Sequence, residues 1–262
     1  MDGSRLGAWD KPFLRIGHGG AAAHARGNSL RSLAPALEMG MDVVEFDVRP
    51  CRDALVLLHD DSLAEFGVQS PLSTSTLAEL RCLDTGPDGP IATFAEALDL
   101  LKGRALINVD VKGAGYETPV VEMVRARGLG GDVIYSSLIP TSLQRIRQLD
   151  AQARTGLSYP EDRNNLSGKP YLQPVVAALI VALRLTLPWR ILSMMANARA
   201  DAVMLYHQLV SRATVQTVQR AQGKVYTWTV DEPARVARLK CLGVDGITSN
   251  YPELLAPPGR AA

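Results

Sequence analysis

The chain has 262 residues, the length of one (β/α)₈ barrel and long for two independent domains, and 47% are hydrophobic, which sets disorder aside. Its 28 Lys and Arg are balanced by 27 Asp and Glu, so no net field draws it to nucleic acid or membranes, and no basic run supplies the patch that nucleic-acid binding needs. Three cysteines, Cys51, Cys82 and Cys241, are too few and too scattered for a disulfide scaffold or a zinc site and read as reduced thiols.

Met1-Asp2-Gly3-Ser4-Arg5 lacks an apolar signal core, so a cytoplasmic location is expected. The first strand is predicted at Phe13–Gly17 and the second at Val43–Val48. After Arg52-Asp53-Ala54, the strand-like run Leu55–His59 reads as a hairpin return. A polar insertion, Asp60–Pro90, carries a short helical pattern at Thr76–Leu83. The helix Thr93–Lys102 opens with Thr93 and Glu96 at capping-box spacing. Further strands are predicted at Leu106–Lys112, Asp132–Ser136 and Arg154–Ser158. The stretch 159–200 begins as a polar loop (Glu161-Asp162-Arg163-Asn164-Asn165) and becomes strongly apolar from Val175 to Leu183. Arg184 ends that run, which is then too short to span a bilayer, and a second helix is expected after Pro188. A helix packed on the barrel, an interface for a homo-oligomer through 175–200 or a lid, and a contact with a lipid surface are the three readings of this segment. The last strands are predicted at Asp201–Tyr206, Lys224–Val230 and Asp245–Ser249. Eight strands alternating with helices predict one α/β domain over residues 1–262. It is a TIM barrel with a small insertion after the second strand and a helical one around 159–200.

In such a barrel, active-site groups project from the C-terminal ends of the strands. His18 follows the first strand directly, between Gly17 and Gly19-Gly20, which permit a tight turn and close approach to a ligand. Glu45 and Asp47 lie two apart on the second strand and so share a face. Two inward carboxylates this close repel unless a cation sits between them, and oxygen ligands suit Mg²⁺ or Ca²⁺. His59 ends the hairpin strand, and Asp110 and Lys112 again share a face. The carboxylate suits the metal and the ammonium an anionic substrate. A bland alternative exists for each: a loop histidine, a solvated Glu-x-Asp edge, a lysine that only pairs with Asp110. Yet burying Glu45 and Asp47 unpaired would cost several kcal/mol, so the strand assignment itself argues for a functional site.

The stretches Ile16-Gly17-His18-Gly19-Gly20-Ala21, Asn28-Ser29-Leu30, Asp42-Val43-Val44-Glu45-Phe46-Asp47-Val48 and Leu58-His59-Asp60-Asp61 resemble the signature region of glycerophosphodiester phosphodiesterases. Ile91–Leu101, Ile107–Lys112, Val225–Val230 and Leu242–Thr248 continue the likeness along nearly the whole chain, least so over Tyr159–Ala200. The resemblance implies a TIM barrel, a divalent cation and hydrolysis of a small phosphodiester bearing a glycerol group. It makes His18 and His59 the catalytic pair, Glu45 and Asp47 metal ligands, and Lys112 a phosphate-side lysine. Asp110 stands where the family usually has a glutamate ligand, and Trp228 lines the substrate cleft. Two positions depart from the pattern. The arginine expected after the first histidine is Gly19, and a glutamate ligand aligns with Gly27. Arg49, two positions beyond Asp47, and Arg26 are candidates to restore positive charge at the substrate. One histidine would take a proton from the attacking hydroxyl while the other protonates the leaving alcohol. Two alternatives stand beside this reading. One is a lysophospholipase D-type phosphodiesterase with Val175–Leu183 as a lipid-facing lip. The other is a catalytically weak phosphoester-binding barrel.

Overall fold

A computed structural model describes residues 8–160 and 172–256. Met1–Arg5 and the polar loop Glu161–Asn165, both singled out above, lie outside the described residues.

Short runs rich in Val, Ile and Leu form the strands. β1 (Leu14–Gly17), β2 (Val43–Pro50), β4 (Leu106–Val111), β5 (Val133–Ser137), β6 (Arg154–Tyr159), β7 (Ala202–Tyr206), β8 (Lys224–Trp228) and β9 (Gly246–Ser249) pair in parallel around a closed ring. Closure comes where β1 meets β2, at Ile16↔Val43 and Gly17↔Val44. β3 (Leu55–Leu57) stands outside the ring, antiparallel to the far end of β2. The eight predicted barrel strands are all present, with ends moved by up to two residues. The hairpin strand is shorter than expected, leaving His59 on the loop beyond it.

The helices are α1 (Leu30–Glu38), α2 (Leu77–Arg81), α3 (Phe94–Leu101), α4 (Glu117–Ala126), α5 (Pro140–Leu149), α6 (Gln173–Ala198), α7 (Arg212–Arg220) and α8 (Pro233–Leu242). Between this layer and the barrel lies the main core, in which Phe46, Val109, Leu98 and Val203 are fully buried. Strands buried on both faces read as apolar runs, which is why the polar interruptions in β2 and β4 are informative. Inside the barrel, Leu14, Ile16, Val43, Leu106, Ile134, Met204 and Tyr226 fill the lower half. Trp9 belongs to this cluster, and its indole N–H donates to the Gly131 carbonyl at 3.1 Å. The insertion after β3 has a small core of its own around Val56, Leu63, Leu72, Leu80 and Ile91.

The segment after β6 departs from expectation. Neither Arg184 nor Pro188 ends a helix: α6 runs unbroken for 26 residues. Among the described residues it is one helix long and apolar enough to cross a membrane, by length and composition. The expectation that the apolar run is too short therefore does not hold. Its inward stripe, Leu187, Ile191, Met195 and Ala198, is buried against the barrel, while most of its remaining surface is open.

Candidate active site

The in-register pairing of β2 with β4 sets Glu45 opposite Asn108 and Asp47 opposite Asp110. All four are buried. One oxygen each from Glu45, Asp47 and Asp110 lies within 4.8 Å of the other two. Lys112 Nζ reaches Asp110 Oδ2 at 2.6 Å and Asp47 Oδ1 at 2.9 Å. Ser136 Oγ, on the next strand, donates to Asp110 Oδ1 at 2.6 Å. Asn28, in the left-handed region at φ 64°, clasps Asp47 twice. Its Nδ2 donates to Asp47 Oδ2 at 2.8 Å, and its Oδ1 accepts from the Asp47 backbone N–H at 2.9 Å. The Gly19 N–H donates to Glu45 Oε2 at 2.8 Å.

Electrostatics divide the carboxylates. Burial, reinforced by the neighbouring Asp47 charge, pushes Glu45 up to about 8. Burial acts on Asp47 in the same direction, but Lys112, His59 and His18 together outweigh it and bring Asp47 down to about 2. Three buried carboxyl groups against one ammonium leave excess negative charge, relieved either by a proton on Glu45 or by a cation. The Asn108 Oδ1 is buried without a hydrogen-bond partner and lines the same cavity. A hard divalent cation takes such a set of carboxylate and amide oxygens, so the residues present fit one.

His18 stands at the rim of this cluster. Its Nδ1 lies 2.7 Å from Asn250 Oδ1. Asn250 Nδ2 in turn donates to Asp231 Oδ2 at 2.6 Å, which fixes the amide so that its oxygen faces the imidazole. The proton therefore sits on Nδ1, and Nε2 is the free nitrogen. Burial opposes a charge on His18, yet Glu45, Asp47 and the bond to Asn250 together outweigh it and hold the ring above the ordinary histidine range. The glycines around His18 make the expected tight turn, and they let the backbone approach closely to the chain itself. A Cβ at Gly20 (φ +85°) would meet the Ser32 carbonyl oxygen at 2.4 Å, and one at Gly17 the Gly20 oxygen at the same distance. This turn presses β1 onto the start of α1 and delivers the Gly19 N–H to Glu45.

His59 lines the same cavity from the hairpin loop, with Nδ1 2.9 Å from Asp60 Oδ1. The cavity holds about 280 Å³ and is lined also by Glu45, Asp110, Lys112 and Trp228. Trp228 is locked by an N–H bond to the Met204 carbonyl at 2.8 Å. Arg49 and Arg26 are not among the lining residues. Beyond Val48, β2 leaves the barrel to pair with β3, so the parity that turns Glu45 and Asp47 inward no longer applies; the Arg49 Nε donates to the His59 carbonyl at 2.7 Å. Arg26 lies over the Phe66 ring, 4.9 Å from its centroid. Both arginines thus stand off the cavity wall, and Arg49 steadies the loop that carries His59. Sequence reasoning passed over Asn108, Ser136, Asp231 and Asn250. The end-of-strand rule that nominated His18 also points to Asn250, which directly follows β9.

Residues 18–254 match the profile of the glycerophosphoryl diester phosphodiesterase family. The chain belongs to that family. The enzyme class read from the sequence, a phosphoric diester hydrolase of glycerophosphodiester type, stands with this membership. The chain is 24% identical to a glycerophosphodiester phosphodiesterase of Caldanaerobacter subterraneus, over 92% of this chain and 96% of the relative. A probable glycerophosphodiester phosphodiesterase 2 of Mycobacterium tuberculosis is 27% identical over 95% of this chain and 94% of its own. Among solved structures, an Oleispira antarctica phosphodiesterase in complex with the product sn-glycerol-3-phosphate superposes with TM-score 0.74 at 21% identity, covering 91% of this chain and 93% of that one. The glycerophosphodiester phosphodiesterase of Thermotoga maritima gives 0.71 at 21% identity, over 92% and 96%. These likenesses are to the same closed barrel.

Proposed function

We propose that the chain hydrolyses glycerophosphodiesters to glycerol phosphate and an alcohol, with His18 and His59 as the acid–base pair and Mg²⁺ or Ca²⁺ on Glu45, Asp47 and Asp110. The observation that carries this reading is the convergence of both histidines with the carboxylate cluster and Lys112 at one barrel mouth. The cation, when bound, supplies Lewis-acid polarisation of the phosphoryl oxygens. Lys112 sets a fixed positive charge beside the position where phosphoryl charge accumulates. His18 offers Nε2 to the cavity, its other nitrogen being held by Asn250. One histidine receives the proton of the attacking hydroxyl and the other returns a proton to the leaving alcohol. With water as nucleophile the product is glycerol phosphate; with a neighbouring glycerol hydroxyl it is a cyclic phosphate that one water then opens to glycerol phosphate. Trp228 forms an apolar wall for the glycerol side.

The test measures glycerol phosphate release from glycerophosphocholine with and without chelator. His18→Ala and His59→Ala are each expected to lower turnover by about 10²–10⁴-fold, the usual worth of acid–base catalysis. A thermal-shift titration with Mg²⁺ or Ca²⁺ is expected to raise the Tm of the wild type and not of Asp47→Ala. Undiminished turnover in both histidine variants would overturn the acid–base assignment. Turnover indifferent to chelator, together with a flat titration, would overturn the metal site.

A second reading takes a lysophospholipid as substrate. It is favoured by the exposed apolar surface of α6, whose N-terminal end lies on the side of the barrel where the cavity opens, because barrel helices run antiparallel to their strands. Comparison of lysophosphatidylcholine with glycerophosphocholine separates the two.

A further inference from the structure

The helix α6 is turned inside out relative to a surface helix of a globular protein. Such a helix buries an apolar stripe and shows charge to solvent. α6 buries its stripe, yet its outward face is apolar as well. Of the seven large apolar side chains exposed among the described residues, six lie on this helix: Val175, Leu179, Val181, Leu185, Trp189 and Leu192. Trp189 is 81% exposed and Leu185 64%. At 100° per residue these six positions fall within one continuous arc, opposite Leu187, Ile191 and Met195. No acidic residue occurs in the helix; its ionisable groups are Arg184 and Arg190.

The neighbours of α6 extend this charge bias. α5 and α7 pack against it on either side. Neither contains Asp or Glu, while they contribute Arg145, Arg147, Arg212 and Arg220. One of these, Arg147, is paired with Asp201. By contrast, α1 to α4 together hold six acids (Glu38, Glu79, Glu96, Asp99, Glu117 and Glu122) against three arginines. An exposed apolar stripe about 25 Å long, at 1.5 Å per residue from Val175 to Leu192, thus runs along a flank whose helices carry arginine and no carboxylate.

We propose that this flank docks on an anionic phospholipid bilayer, with α6 lying in the interface and its outward stripe among the acyl chains. The chemistry matches such a surface term by term. Leu179, Val181, Leu185 and Leu192 supply apolar area, Trp189 is an interfacial anchor, and Arg190 at the edge of the arc, with Arg145, Arg212 and Arg220 of the neighbouring helices, meets lipid phosphates. Lying in the interface agrees with the packing better than spanning, since a span would strip Leu187, Ile191 and Met195 from the barrel. The N-terminal end of α6 is on the cavity side, so docking holds the barrel mouth within one helix length of the lipid headgroups. The docking itself does not depend on the proposed hydrolysis.

The test is flotation of the full chain with vesicles of phosphatidylcholine alone and of phosphatidylcholine mixed with phosphatidylglycerol. The wild type is expected to float with the mixed vesicles and to be released by high salt. Leu185→Glu/Trp189→Glu, on the outward face and away from the core, is expected to reduce the bound fraction by about tenfold or more while keeping the wild-type circular dichroism and Tm. Leu179→Ser/Leu185→Ser is a milder version should the glutamates perturb folding. A wild type that stays at the bottom of the gradient with both vesicles overturns the proposal. So does a lipid-free dimer that these substitutions dissolve, because a second copy of the chain would then be the occupant. Failure to hydrolyse glycerophosphocholine would count against the reaction and leave the flotation result standing.

Discussion

Asp231 accepts three hydrogen bonds, from the Asn250 backbone N–H, from Asn250 Nδ2 and from Ser249 Oγ. An ionised carboxylate only accepts, so the Asn250 amide cannot turn, and His18 is held to the Nδ1–H tautomer from outside the cavity. Asn250 is thus a positioning residue for the proposed base or acid. Asn250→Ala is expected to lower kcat by about 10–100-fold, the usual cost of losing a partner that orients a reacting group, with a smaller change in KM. The ¹⁵N shifts of the His18 ring should change from a single tautomer to a mixture in Asn250→Ala. An unchanged imidazole spectrum in Asn250→Ala would dismiss this role. At this scale the charged groups were legible because strand parity and burial cost make an inward Glu45, Asp47 or Asp110 conspicuous. Asn108 and Asn250 were not, because an uncharged amide carries no comparable penalty until its partners are known. Arg49 stands off the cavity wall because β2 parity ends where the strand leaves the barrel to pair with β3.

Local signals at the ends of elements were read with similar unevenness. The α3 cap is as spaced in sequence: Thr93 Oγ1 accepts from the Glu96 N–H at 3.2 Å, and Glu96 Oε2 accepts from the Thr93 N–H at 2.8 Å. Glu96 also binds Arg81 through both oxygens, tying α2 of the insertion to α3. Thr93→Ala should lower the stability of the chain by about 1 kcal/mol, seen as a lower urea midpoint with unchanged slope. A midpoint equal to wild type would show that the cap contributes nothing. α6 shows the opposite case. Arg184 and Pro188 resemble stop signals locally, but a proline removes one N–H donor, and an arginine stem can lie along apolar surface. Burial of Leu187 and Ile191 on the barrel offsets both costs, and that packing cannot be seen in a window of sequence.

Closure of the ring rests on a short seam. β1 and β2 share two register pairs, and beneath them Asp42 accepts from the Arg15 N–H at 3.0 Å, from Arg15 Nε at 2.9 Å and from Lys11 Nζ at 2.6 Å. Burial would raise the Asp42 carboxyl, but its bonds to Arg15 and Lys11 prevail and hold it below the usual range. A lowered carboxyl adds stability above its unfolded pKa of about 3.9 and loses it as pH falls through the folded value. Asp42→Asn should therefore destabilise by about 1–2 kcal/mol at neutral pH, allowing for solvent screening, with the difference from wild type shrinking below pH 4. Equal urea midpoints for the two proteins at neutral pH would remove the latch from the account. Eight strands and their order were legible because the alternation of strand and helix admits few arrangements. The sidedness of the charge was not, since a balance of 28 against 27 says nothing of where each sign resides.

That sidedness has a consequence for handling the protein. Near its isoelectric point of about 7.7, the molecule barely migrates in a uniform field. A sulfonated resin or a silica wall is not uniform on the molecular scale. It would seize the side formed by α5 to α8 and leave the acidic helices α1 to α4 facing the buffer, so retention and electrophoretic mobility would rank this protein differently.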